Sequence, residues 1–103
     1  MRAACTRAAL AAALLMATGA ALASEALADK HACLNCHLIE KKLVGPSFKD
    51  VAKKYRGLAG AAEVLRNKVS NGGSGVWGAV PMPAMTAVPP DDTQALVAWI
   101  LKL

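Results

Sequence analysis

Two cysteines and one histidine lie within a run of five residues, Cys33-Leu34-Asn35-Cys36-His37. Thiols three residues apart could form a disulfide, bind zinc, act as a redox dithiol or add to the vinyl groups of a porphyrin. A disulfide across so short a loop would constrain the unfolded chain little. A zinc site would need two more ligands, of which His31 is the one strong candidate, and a redox dithiol needs a βαβ context that the chain lacks.

The histidine that directly follows the second cysteine distinguishes among these chemistries. A Cys-x-x-Cys-His sequence is the attachment signature of c-type haem. On a helix, Cys33 and Cys36 lie on one face, where each thiol can add to one vinyl group. His37 is then carried beneath the macrocycle, so that its Nε2 atom can reach the iron. We therefore predict one haem c, bound covalently through Cys33 and Cys36.

The elements that must position this motif are predicted to be helices. Ser24 is available as the N-cap of the first helix, and Leu27 and Leu34 lie seven residues apart on one face of it. Gly45-Pro46 marks a turn before the second helix, and Asn71-Gly72-Gly73 ends the third. The four predicted helices cover residues 24–37, 48–56, 61–70 and 91–102. Because no stretch alternates in the manner of a strand, we predict an all-α fold of three or four short helices.

A long loop, residues 71–90, connects the last two predicted helices and holds four of the chain's five prolines. Such a loop in a small domain is expected to be functional or disordered, and its tryptophan and two methionines argue against disorder. Either Met82 or Met85 could in principle reach a haem iron. Pro81 and Pro83 fix φ on both sides of Met82, which lowers the entropy cost of holding a thioether in place and favours Met82 as the ligand.

The first 23 residues have the features of a secretory signal. Arg2 and Arg7 give a positive start, an uncharged apolar run follows, and Ala21-Leu22-Ala23 is a small-x-small cleavage site. The apolar run is too short to span a bilayer. We therefore predict an exported protein with a signal peptide at residues 1–23 and one domain at residues 24–103.

The composition limits the kinds of partner. The formal net charge of the whole chain is +5, and the predicted cleavage removes two of its arginines. The remaining mild excess of positive charge suits an acidic protein partner or solubility, and the lack of a dense basic run argues against nucleic acid. Six lysines cluster on either side of the motif and of Gly45-Pro46: Lys30, Lys41, Lys42, Lys49, Lys53 and Lys54. They could steer an acidic partner or only keep the protein soluble.

Residues 24–103 resemble the small bacterial class I cytochromes c, the short-chain monohaem proteins that carry electrons in the periplasm. The matching stretches are Cys33–His37, Leu43–Pro46, Asn71–Gly73, Gly75–Gly78, Val80–Pro83 and Leu96–Leu101 with Trp99. The resemblance implies the cytochrome c fold, with short helices wrapped around one covalent haem and a long loop that carries the methionine. It also implies a monomer located in the periplasm.

The resemblance assigns roles to individual residues. It implies His37 and Met82 as the two axial iron ligands, with the Pro46 carbonyl accepting a hydrogen bond from the His37 ring. Trp77 matches a family position whose indole N–H could donate to a haem propionate. Lys68 matches a position where relatives carry a basic residue near the same propionate. The alternatives are that Trp77 is a core residue and that Lys68 is a solvated lysine.

Three positions depart from the pattern of the family. Ala32 stands where relatives have glycine before the first cysteine. Ala28 stands where they have an aromatic residue at the crossing of the first and last helices, so Trp99 is expected to pack elsewhere. Met85 replaces an asparagine three residues beyond the ligand, and a thioether cannot donate the hydrogen bond that an asparagine could.

An electron carrier needs one reversible redox centre and an iron whose axial positions are both filled, and the sequence offers both. We therefore expect a carrier and not an enzyme. The alternative is a displaceable Met82 that opens the iron to peroxide or a gas ligand, as in an enzyme or a sensor. Peroxide chemistry would need a distal base, and His31, otherwise expected to be a surface histidine, precedes the motif on its proximal side.

The resemblance also suggests the redox partners. The donor would be a quinol-oxidising cytochrome complex, and the acceptor would be a nitrite reductase, an oxidase or a peroxidase. A third hypothesis for the chain as a whole is that it forms one haem subunit of a larger membrane complex.

Overall fold

The computed structural model describes residues 24–103, and within this range it contains α-helices, one 3₁₀ turn and no strand. The helices are α1 at residues 24–30, α2 at Phe48–Tyr55, α3 at Ala61–Asn71 and α4 at Pro90–Ile100, and the 3₁₀ turn is Cys33–Asn35. The predicted all-α fold is confirmed over this range. None of these helices has the length and apolar character needed to cross a membrane. The predicted signal peptide lies outside the described residues.

The first helix is shorter than predicted. It ends at residue 30, and Ala32 has left-handed backbone angles, with φ 60° and ψ 20°. A residue in this conformation cannot continue a right-handed helix, so the chain turns there and Cys33–Asn35 form the 3₁₀ turn. The prediction of one helix over residues 24–37 is therefore wrong, and the Cys-x-x-Cys-His motif begins on a tight turn.

The second helix begins as the sequence predicts. Ser47 is its N-cap, and the hydroxyl oxygen accepts a hydrogen bond from the Asp50 amide at 3.0 Å. This bond satisfies one of the N–H groups that the first turn of a helix leaves without a partner. Phe48, Val51 and Ala52 are buried along one face of α2, which is the spacing of an amphipathic helix.

Two prolines set the start of the fourth helix. Pro89 is the N-cap and Pro90 is the first helical residue, a position where the missing amide of proline leaves no donor unpaired. The amide and the hydroxyl of Thr93 both donate to the Pro89 carbonyl, at 3.0 and 3.2 Å. Asp91 and Asp92 lie in the first turn, where negative charge is favourable to the helix dipole.

The helices share one apolar core. α4 packs against α3 and α2, and the buried members of the core are Ala28, Phe48, Val51, Leu65, Leu96, Val97 and Ile100. Trp99 does pack elsewhere, as expected from the small residue at position 28. Its ring meets Phe48 edge-on, with the ring centroids 5.6 Å apart and an angle of 72° between the planes. Such pairs contribute about 0.5–1.5 kcal/mol beyond their buried area.

Two side-chain contacts tie α4 to distant parts of the chain. His31 Nε2 lies 2.9 Å from a carboxylate oxygen of Asp92, and the two side chains are 12% and 26% exposed. Arg56, which follows α2, donates hydrogen bonds to the carbonyl groups of Leu101 and Leu103. His31 is therefore not a plain surface histidine, because it joins the segment before the motif to the first turn of α4.

Replacing Ala32 by glycine should stabilise the protein. A left-handed conformation costs a residue with a Cβ atom about 1–2 kcal/mol, and the greater freedom of glycine in the unfolded chain offsets about 0.4–1 kcal/mol of the gain. We expect Ala32→Gly to raise the free energy of unfolding by about 0.5–1 kcal/mol, measured on the haem-loaded protein in guanidinium chloride. Ala28→Gly, the same change inside α1, should lower it. A less stable Ala32→Gly protein would contradict the prediction.

The His31–Asp92 contact should appear as a coupling energy. Because both side chains are partly shielded, a double-mutant cycle with His31→Ala and Asp92→Ala should give about 0.5–1 kcal/mol. The cycle removes the separate effect of the carboxylate on the helix dipole. His31→Ala with Asp91→Ala is the matched control, because Asp91 lies in the same first turn without this contact. Equal coupling in the two cycles would show that the contact contributes nothing.

Candidate haem site

A cavity of about 440 Å³ lies between the motif, the inner faces of α2, α3 and α4, and the loop that connects α3 to α4. Its volume is within the range of about 300–1,000 Å³ that is typical of small-molecule and cofactor sites. Every site residue selected from the sequence lines it: Cys33, Cys36, His37, Pro46, Lys68, Trp77 and Met82. The fold thus brings together residues that are up to half the chain apart.

The two thiols of the motif reach the cavity from the tight turn. Cys33 is partly buried, Cys36 is exposed, and the two are not joined by a disulfide. Burial raises the pKa of the Cys33 thiol, and a backbone hydrogen bond partly opposes this effect. A redox dithiol works through a thiolate whose pKa is lowered, so the environment of Cys33 argues against the dithiol hypothesis.

The His37 ring is fixed by its neighbours. Its Nδ1 atom lies 2.7 Å from the Pro46 carbonyl oxygen. Because a carbonyl only accepts hydrogen bonds, the proton of a neutral ring is on Nδ1 and the lone pair is on Nε2. The ring also stacks on Phe48, with centroids 5.1 Å apart and planes inclined by 18°. This arrangement presents Nε2 as the atom that could bind a metal.

Gly45 lets the backbone approach the His37 ring closely. A Cβ atom at this position would lie 2.6 Å from Cε1 and 3.0 Å from Nδ1 of His37, so any side chain would displace the ring or the loop. The Gly45 amide donates to the Cys36 carbonyl at 2.8 Å, which holds this segment against the motif. The sequence marks Gly45-Pro46 only as a turn, because the contact with the ring depends on the tertiary structure.

The loop between α3 and α4 is hydrogen-bonded to the end of α3. Met82 and Gly73 exchange two backbone hydrogen bonds, at 2.8 and 3.0 Å, as in an isolated antiparallel bridge. The Met85 amide donates to the Val69 carbonyl at 2.9 Å. Met82 and Met85 are both partly buried, and both line the cavity. The loop is therefore anchored, as its apolar residues predicted.

Trp77 and two lysines place an aromatic ring and positive charge beside the cavity. Trp77 is 42% exposed, so it is not a core residue. Lys54 Nζ lies 5.6 Å from the centroid of its ring, a cation–π contact that no pattern in the sequence indicated. Lys68 is partly buried, and its Nζ lies 3.5 Å from the place that a Cβ atom of Gly73 would occupy.

The residues of the cavity fit a covalently bound haem. Core side chains supply the apolar surface that a porphyrin needs, and those on the cavity wall are Phe48, Val51, Leu65, Leu96, Val97 and Ile100. The motif adds two thiols at the attachment spacing, and His37 adds an imidazole with an available Nε2. An imidazole paired with a thioether is the donor set of an electron-transfer haem, and His37 and either methionine of the lining could supply it.

Known proteins resemble this chain in sequence and in structure. The family model for cytochrome c matches residues 17–103. Cytochrome c-551 of Allochromatium vinosum is 54% identical over 83 residues, which cover 81% of this chain and 88% of that protein. Cytochrome c-552 of Nitrosomonas europaea is 46% identical over 93 residues, 90% of each protein. The crystal structure of wild-type Nitrosomonas europaea cytochrome c552 has a TM-score of 0.75 and 47% identity, covering 77% of this chain and 98% of that chain.

These similarities extend over nearly the full length of the relatives and confirm the predicted family and fold. They also confirm the predicted cofactor, because Cys33 and Cys36 fit the haem attachment motif of that family. This chain belongs to the cytochrome c family, as an electron-transfer protein with one covalent haem c.

Proposed function

We propose that this cytochrome c is a periplasmic electron carrier in which His37 and Met82 are the axial ligands of the haem iron. The observation that carries the proposal is that both residues line one cavity, with the His37 ring held by the Pro46 carbonyl and the Met82 main chain held by Gly73. With haem bound, His37 and Met82 would fill both axial positions and so would exclude a substrate from the iron. When bound, haem c supplies one reversible one-electron couple.

The contribution of His37 is a fixed and electron-rich ligand atom. The hydrogen bond from Nδ1 to the Pro46 carbonyl selects one tautomer and increases the basicity of Nε2. Stacking on Phe48 prevents the ring from rotating away. A ligand that keeps its position in both oxidation states requires little rearrangement when an electron arrives or leaves.

The contribution of Met82 is a weak ligand that the chain holds in place. Pro81 and Pro83 fix φ on either side of it, and the two hydrogen bonds with Gly73 fix its own amide and carbonyl. The backbone entropy that Met82 would lose on binding a metal is therefore largely lost on folding. Met85 also makes two backbone hydrogen bonds, donating to Val69 and accepting from Val88. It has no flanking proline, and this is the respect in which its backbone is less restrained than that of Met82.

Trp77 and Lys68 would hold the carboxylate groups of the haem. An indole N–H is a donor without acceptor capacity, and an ammonium group forms a charge-assisted hydrogen bond with a carboxylate. Both side chains line the cavity. The cation–π contact of Lys54 with Trp77 restrains the indole ring and brings a second positive charge near the same place.

The carrier is favoured over an enzyme or a sensor by the lack of a second histidine among the described residues around the cavity. Within the described chain, His37 is the one histidine on its lining, and Asp50, which is exposed, is the one carboxylate. His31 is not on the lining, and its Nε2 is bonded to Asp92. A peroxide reaction would need a base within hydrogen-bond reach of its substrate. On the Met82 side of the cavity, the described lining has no histidine that could be this base.

The proposed location and partners rest on the sequence pattern and on the surface. The secretory features of residues 1–23 support export, and we propose that residues 24–103 act as a monomer in the periplasm. Four apolar residues of the cavity lining are also exposed at the surface: Val44, Val76, Trp77 and Val80. Exposed lysines lie near them: Lys42 lines the cavity and Lys54 covers Trp77. Such a surface suits an acidic redox protein, with a quinol-oxidising cytochrome complex as donor and a nitrite reductase, oxidase or peroxidase as acceptor.

The sixth ligand can be identified by replacing each methionine in turn. Met82→Ala should abolish the weak long-wavelength charge-transfer band of the ferric protein, lower its reduction potential and let carbon monoxide bind to the ferrous protein, because it removes the thioether from the iron. Met85→Ala is the matched control and should keep the band and exclude carbon monoxide. If Met85→Ala loses the band and Met82→Ala keeps it, the ligand is Met85. Carbon monoxide binding to the unmodified protein would favour a sensor.

Electrostatic docking can be tested by varying the ionic strength. If the lysines steer an acidic donor, the second-order rate of reduction in stopped flow should fall several-fold as salt rises to 0.1 M, where screening limits the field to about 10 Å. Lys42→Glu should slow the reaction more than Lys102→Glu, a control that makes the same charge change beyond α4. A rate that is independent of salt would leave the apolar side chains as the docking surface.

A further inference from the structure

Gly72 lies against the backbone of the segment that contains Met82. It directly follows α3, and its amide donates to the Lys68 carbonyl at 2.8 Å. Its backbone angles are φ 72° and ψ −169°, a combination that is essentially restricted to glycine. The chain therefore leaves α3 in a direction that a residue with a side chain would not take.

The space beside Gly72 is filled by main-chain atoms. A Cβ atom on Gly72 would lie 2.5 Å from the Met82 carbonyl oxygen, 2.8 Å from the Ala84 amide nitrogen and 2.9 Å from the Pro83 carbonyl carbon. These atoms belong to the backbone, so they cannot move aside as the end of a flexible side chain could. Any side chain at position 72 must therefore displace the segment from Met82 to Ala84.

This contact lies between the hydrogen bonds that hold the same segment. On one side of Gly72, Gly73 exchanges two hydrogen bonds with Met82, and on the other side the Val69 carbonyl accepts a bond from the Met85 amide. The segment is therefore held by three residues at or just after the end of α3, namely Val69, Gly72 and Gly73. Gly72 is the point where main chain meets main chain with no side chain between them.

We propose that Gly72 is a positioning residue for Met82, because the close approach that it allows determines how firmly the Met82 thioether is held on the iron. The inference rests on the proposed function, in which Met82 is the sixth ligand. A thioether is a weak ligand, so a small outward shift of its backbone increases the fraction of molecules in which the iron is open. An external ligand then binds more tightly in proportion to that fraction.

The test is a set of three alanine variants of the haem-loaded ferric protein. Gly72→Ala introduces the contact and the backbone strain together. Gly57→Ala introduces strain without the contact, since Gly57 has φ 84° and nothing lies within 4 Å of its Cβ position. Met82→Ala removes the thioether. Each protein is examined for the charge-transfer band, the reduction potential, the affinity for imidazole and the free energy of unfolding.

We expect Gly72→Ala to weaken the band, lower the potential and bind imidazole roughly tenfold more tightly than the unmodified protein. Gly57→Ala should lose stability and keep the band, the potential and the imidazole affinity. If Gly72→Ala and Gly57→Ala have the same imidazole affinity, the inference about Gly72 is wrong and the ligand assignment stands. If Met82→Ala keeps the band, the ligand assignment is wrong and the inference falls with it.

If the Gly72→Ala variant does not incorporate haem, a measurement on the unmodified protein tests the inference about Gly72 instead. The Met82 and Gly75 amides each make one backbone hydrogen bond of 2.8 Å, to Gly73 and Gly78 respectively. Gly75 has no atom within 4 Å of its Cβ position, so no neighbouring backbone packs against it as it does against Gly72. We expect the Met82 amide to exchange with solvent at least roughly tenfold more slowly than the Gly75 amide. Equal exchange rates would overturn the inference.

Discussion

The hydrogen bond between the His37 ring and the Pro46 carbonyl connects the haem attachment motif to the rest of the fold. Pro46 is followed by Ser47, the N-cap of α2, so the atom that orients the ring belongs to the same short segment that starts the helix. The ring stacks on Phe48, the first residue of α2, and Phe48 in turn meets Trp99 of α4. A change in the orientation of His37 would therefore have to be accommodated by both helices. This coupling connects the His37 side of the site to the core.

The two sides of the cavity reach this rigidity by the same physical means. On the His37 side, Gly45 places the main chain within van der Waals contact of an aromatic ring, and on the Met82 side, Gly72 places it against another stretch of main chain. Neither glycine is itself a proposed ligand of the iron. Each allows an approach that a Cβ atom would prevent, and neighbouring backbone hydrogen bonds then hold the approach in place. Rigid positioning suits an electron carrier, in which the ligands should move little when the charge of the iron changes.

Local sequence signals predicted most of the fold. The N-cap Ser47 and the apolar spacing of α2 sufficed for that helix, and glycines and prolines bounded α3 and α4 to within two residues. The first helix was predicted too long because its apolar spacing does not show that Ala32 adopts left-handed angles. The candidate site residues were selected because the motif has a fixed spacing and the remaining stretches resemble a known family, and all of them line the cavity. The His31–Asp92 pair could not be predicted, because it depends on how helices pack across a long separation in sequence.

That pair joins residues 61 positions apart, so it can form only when both ends of the domain are present. The turn that carries the cysteines is near the beginning of the described chain, whereas α4, which supplies Leu96, Val97 and Ile100 to the core, is at its end. Closing a loop of this length costs only slightly more entropy than closing one half as long, but it cannot happen before α4 has been made. The faces of α2 and α3 that pack against α4 therefore lack this partner until the end of the chain has been made. The attachment turn is among the first parts of the domain to be made, and the helix that completes its surroundings is the last.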